Sequence, residues 1–112
     1  REMEKLSLTA KARTTLDEAR MSSNGRSAHT VYGGHEQTLR QTIIALTAGE
    51  GLAEHDSPGE ATLQVLQGRV RLVCGEDSWD GAPGALLVIP DARHSLEADE
   101  DSVVLLTVAK RS

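Results

Sequence analysis

The chain predicts an all-β fold, a barrel or jelly roll of about eight strands preceded by one α-helix. Three observations carry this. Short aliphatic runs recur along the chain with glycine and proline turns between them. The only aromatic residues are Tyr32 and Trp79, so the core must be built from Leu, Val, Ile and Ala, and branched aliphatics suit strands. The 112 residues fit one domain and one core. We divide them into a helical segment, 1–26, and a β-barrel, 27–112.

Residues 7–23 read as the helix. Leu8, Ala12, Leu16 and Ala19 recur at spacings of four and three, which sets them on one face. Ser7 can cap the first turn, and Asn24-Gly25 can stop the last. The stripe is narrow, so the helix is expected against a sheet edge or a second subunit.

Residues 27–32 form a short strand candidate ended by Gly33-Gly34, and 39–47 the first strong strand. Residues 48–59 read as a loop, marked by Gly49, Gly51 and Ser57-Pro58-Gly59. In 61–66, Ala61, Leu63 and Val65 alternate with Thr62 and Gln64. Gly68 then turns the chain into 69–74, and the two strands read as a hairpin. Short strands are expected at 78–80, 85–89 and 94–98. The last, 102–109, is apolar on both faces, so it is buried on both. That double burial, with the helix stripe, predicts a homodimer.

Composition removes several functions. The net charge is −5 with acids and bases interspersed, and there is no Lys/Arg block or set of stacking aromatics for nucleic acid. No apolar run approaches the roughly 20 residues of a membrane span. The first twelve residues are charged and lack the apolar stretch of a secretory signal. The single cysteine, Cys74, cannot form an internal disulfide, and it lies in phase with Val70 and Leu72 as a buried, inert thiol. A cytoplasmic location is compatible with all of this.

Two stretches carry the candidate chemistry. Gly49 is followed by five residues and then His55, with Ser57, Glu60 and Ala61 next and Gly68 at the end. Gly84 is followed by five residues and then Pro90, with Ala92 and His94 behind it. In this order the two resemble the paired motifs of the cupin superfamily, in its small, single-domain, RmlC-like jelly-roll form. The resemblance covers roughly 39–109 and implies a double-stranded β-helix. In the family pattern, three histidines and a glutamate hold a divalent metal inside the barrel. His55 and His94 match histidine positions. Ser57 stands at the second histidine and Ala61 at the glutamate, with Glu60 one residue early. One residue is half a pleat, so Glu60 faces away unless a bulge at Pro58-Gly59 rotates it back. Ala92 replaces a glycine, and His94 comes one residue early.

The resemblance therefore implies a site at His55, His94 and Glu60, either as a ligand pocket or as metal ligands for Zn, Fe, Ni, Cu or Mn. His29 and His35 could complete a metal set, and both also fit ordinary surface positions. His55 reads equally as a loop histidine, while for His94 the pocket reading is favoured over that of a strand-end residue. Trp79 lines a ligand mouth or covers a sheet edge.

Three functions follow as expectations. The barrel binds a small organic molecule, with His55 and His94 as polar anchors. Alternatively it is a metal-dependent dioxygenase, isomerase or decarboxylase, or a structural dimer with a vestigial pocket.

Overall fold

The computed structural model describes residues 5–56 and 59–110, without the side chains of His55 and Lys110. The chain runs α1 (Leu8–Met21), β1 (Arg26–Tyr32), β2 (Leu39–Leu46), β3 (Gly51–His55), β4 (Gly59–Gln67), β5 (Val70–Cys74), β6 (Asp77–Gly81), β7 (Leu86–Val88), β8 (His94–Ala98) and β9 (Ser102–Lys110). One sheet has the order β1-β2-β9-β4-β7 and the other β3-β8-β5-β6, and every strand pair is antiparallel. This is the jelly roll expected of the sequence.

Alternation builds the space between the sheets. Ala61, Leu63 and Val65 of β4 are buried there with Val70 and Leu72 of β5, Leu96 and Ala98 of β8, and Val104 and Val108 of β9. The strand neighbours of these residues face outward. On β9 the outward set is again apolar, and Val103 and Leu105 are buried with Ile43 and Ala45 of β2 beneath Ala12, Leu16 and Ala19 of α1. The helix thus lies across the face of the larger sheet rather than at its edge. The double burial of β9 and the helix stripe are both satisfied inside one chain.

The Ser7 hydroxyl accepts from the Ala10 N–H at 3.2 Å, the predicted cap. At the other end, Arg20 reaches Asp101 at 2.9 Å, and Asp101 also accepts from the Ala48 N–H at 2.8 Å. This clamp ties the last turn of α1 to two loops at one end of the barrel.

Two expectations change. Residues 51–55, read as loop, form strand β3, paired with β8. Its sequence, Gly-Leu-Ala-Glu-His, has one large apolar residue, so this edge strand lacks the aliphatic run that marks the others. The second change is the hairpin. β4 bonds β9 and β7, while β5 bonds β8 and β6, so β4 and β5 lie in different sheets. The turn at Gly68 is a corner between layers. Gly68 sits at φ +80°, and a Cβ there would collide with the Asp101 carbonyl oxygen. Buried Ser102 fastens the corner: its hydroxyl accepts from the Arg69 N–H at 3.1 Å and donates to the Glu100 carbonyl oxygen at 2.7 Å.

Candidate functional site

The candidate site is at the end of the barrel where β3 finishes and β4 and β8 begin. The alternation of β8 buries His94, Leu96 and Ala98 in turn, so His94 shares the inner face with two core residues. It is 4 % exposed. Its Nδ1 lies 2.9 Å from the Ala92 carbonyl oxygen. A carbonyl can only accept, so Nδ1 carries the proton, and in the neutral ring the lone pair falls on Nε2. The backbone of the Pro90 turn therefore fixes the tautomer that can accept a hydrogen bond or bind a metal through Nε2.

Position 55 is brought to His94 by a register shift. Gly51 and Leu52 pair with Glu97 and Leu96, but His55 pairs with His94. Without the irregularity between Leu52 and His55, position 54 would lie opposite His94. The extra residue is a bulge of the kind that re-aims strands near sites. The two candidate histidines are thus backbone neighbours across the β3–β8 ladder.

Arg93 closes this corner from outside. Its guanidinium reaches Glu54 at 3.2 Å and Asp56 at 3.8 Å, and it donates to the Glu54 carbonyl oxygen at 3.4 Å. All three side chains are more than half exposed, so the pairs order the mouth more than they stabilise the fold. Sequence reasoning missed Arg93. Its only signal there is its place between the proline turn and His94.

Glu60 is not brought to the histidines. β4 runs in regular register from Gly59 to Val65, with Glu60 opposite Ala109 and Ala61 opposite Val108. Ala61 is buried on the inner face, and Glu60 is exposed on the outer one. Ser57 and the proposed bulge at Pro58 lie outside the described residues. His29 is turned to the helix side, where its Nε2 meets Glu18 at 2.5 Å, and His35 is exposed in the β1–β2 connection. Cys74, expected to be buried, is half-buried, and Trp79 is 48 % exposed on the edge strand β6.

Among the described residues no three His, Cys, Asp or Glu side chains gather into a metal-binding group. The inner face offers His94, with position 55 beside it, where the three-histidine, one-glutamate set needs four. The residues present do not fit that set: alanine occupies the inward glutamate position. Among the described side chains His94 is the one histidine on that face, below the three ligands of a typical catalytic zinc site.

No known family profile matches the chain, and no curated protein does. Solved structures do. A cupin superfamily protein from Desulfitobacterium hafniense is 15 % identical, with TM-score 0.74 over 99 % of this chain and 94 % of that one. An RmlC-like cupin from Desulfovibrio desulfuricans is 27 % identical, with TM-score 0.66 over 75 % of this chain and 81 % of that one. A mutant of the salicylate 1,2-dioxygenase from Pseudoaminobacter salicylatoxidans, in complex with gentisate, gives TM-score 0.77 at 20 % identity. That match covers 89 % of this chain and 32 % of the dioxygenase, so it is a likeness of fold to one part of a larger chain.

Proposed function

We propose, from its likeness in fold to small cupins of the RmlC-like jelly-roll kind, that the barrel of this chain binds a small organic molecule. The observation that carries the reading is the pairing of an intact inner wall with one oriented polar group. His94 is buried among aliphatic side chains with its tautomer set by Ala92, while the inward position on β4 is Ala61. Aliphatic surroundings with few, fixed polar groups are how proteins hold small ligands. Nε2 of His94 supplies an acceptor in the neutral ring, and Arg93 brings one cation to the mouth against the two carboxylates of Glu54 and Asp56. A neutral hydroxyl donor such as a phenol suits that combination, since an ionised carboxylate has no proton to give Nε2 and meets a net negative mouth. The single free thiol, Cys74, accords with a reducing cytosol as the place of action.

The test is thermal unfolding against a panel of small phenols and carboxylates, with divalent transition metals in parallel. Binding at a hundred times Kd stabilises the folded state by about 2.7 kcal/mol, enough to move the melting temperature by several degrees. The expected result is a shift with an organic compound that His94→Gln abolishes. A shift produced by a metal alone, and lost in His94→Gln, would move the chain to the metal-dependent class. No shift with either would leave the structural role.

A further inference from the structure

The two sheets have four open edges: β1 and β7 on one, β3 and β6 on the other. Three carry charged or titratable side chains, namely Arg26 and His29 on β1, Glu54 and His55 on β3, and Asp77 and Asp80 on β6. Charges on an edge strand are a common guard against pairing with another chain. β7 has none. It is Leu86-Leu87-Val88, inside a stretch of ten uncharged residues, 81–90. Leu86 is 60 % exposed and Val88 75 %.

The backbone of β7 is half used. The Val65 N–H donates to the Ala85 carbonyl at 3.0 Å, the Ile89 N–H donates to the Ala61 carbonyl at 3.0 Å, and Leu87 faces Leu63 in the register between them. The Ala85 carbonyl, the Ile89 N–H and the polar groups of Leu87 therefore turn toward β4, while the Ala85 N–H donates to the Ala82 carbonyl within the turn. In an antiparallel ladder the alternate residues turn theirs the other way. The N–H and C=O of Leu86 and Val88 point off the edge of the sheet. β6 runs near β7 but does not pair with it. The space between them is an apolar slot of about 300 Å³ lined by Leu72, Trp79, Leu86, Leu87 and Val88.

We propose that β7 is the contact through which two copies of this chain pair, antiparallel, across a two-fold axis at Leu87. This gives the expected homodimer an interface and does not depend on the barrel's ligand. The register is self-complementary. With the axis at Leu87, Leu86 of each copy lies opposite Val88 of the other, and these are the residues whose backbone groups face outward. All eight of those groups, four from each copy, can then meet in hydrogen-bonded pairs. An isologous contact requires a patch to match itself. Pairing β6 with β6 would set Asp77 and Asp80 against the same acids of the other copy, whereas β7 sets apolar against apolar. Pro83 and Pro90 bracket the strand and keep the ladder short, so Trp79 and the slot supply the rest of the buried apolar surface.

The test is the sedimentation-equilibrium mass of the intact protein over a wide concentration range, in reductant so that Cys74 cannot cross-link. The expected result is a reversible dimer. The double variant Leu86→Lys, Val88→Lys should weaken it by at least about tenfold, while Ser78→Lys on the β6 edge leaves it unchanged. A monomer at every concentration overturns the proposal, and so does a dimer indifferent to the double variant. Amide exchange of the unmodified protein gives a reading that no substitution can spoil. In the dimer the Leu86 and Val88 amides should be protected like that of Leu87. Free exchange of both, at concentrations where the mass is dimeric, places the interface elsewhere and overturns the proposal.

Discussion

Gly68 shows how one residue decides a layer. At φ +80° it lets the chain leave β4, pass under the Asp101 carbonyl and enter the opposite sheet as β5. Gly68→Ala should cost about 1–3 kcal/mol from the left-handed backbone, with more from the contact at Asp101. A denaturant midpoint within error of the parent would refute that reading of the corner. In the sequence the glycine announced a turn, but a turn does not name its strand's partner, and the hairpin reading failed for that reason. Glu60 illustrates the opposite case. Its distance of one residue from the motif position already implied the outer face by the period of a strand, and the regular register from Gly59 puts it there. Arg93 could not be read in advance, because its partners Glu54 and Asp56 come from a stretch that looked like a loop.

At the scale of elements, α1 is the piece whose docking can be measured. Leu16 is buried against the outer face of the larger sheet. Leu16→Ala should destabilise the protein by about 2–4 kcal/mol, the usual cost of emptying a buried leucine site, read from chemical denaturation. A loss below about 0.5 kcal/mol would mean the helix contributes little to the fold. The same docking should depend on pH. Hydrogen bonds with His29 and then Ser27 hold the Glu18 carboxyl below its usual range. The Ala48 N–H, and after it Arg20, does the same for Asp101. A carboxyl lowered in the folded state adds stability that is complete above its unfolded value and is lost as pH falls through the folded one. Exchange of the α1 amides, corrected for intrinsic rates, should therefore quicken between about pH 5 and about pH 3. A flat profile for α1, with the sheet amides also flat, would show that these contacts do not hold the helix. The helix itself was plain from its stripe and cap. Its site on the sheet was not, because a periodic stripe states what is apolar and leaves open what covers it.

Across the whole molecule, the sequence's two glycine-led motifs come together as one end of one barrel. Gly49 and Gly84 both adopt positive φ, at +87° and +92°. The strands that follow them bring position 55 and His94 into register. The fold was legible because aliphatic runs, turn glycines and motif order all agreed. The bulge in β3 was not, since no residue type marks it, yet it decides which residue faces His94. The larger sheet is covered on its outer face by α1 over β1, β2 and β9, and β7 is left as an apolar edge.

With the metal set broken at Ala61 and Glu60, the barrel is left to an organic ligand rather than a metal. The most direct measurement is elemental analysis of protein purified without chelator or a metal-affinity step, then repeated after dialysis against each candidate metal. Bound transition metal should be well below one per chain, unchanged in His94→Gln and not raised by reconstitution. Near one metal per chain, lost with His94→Gln, would contradict it.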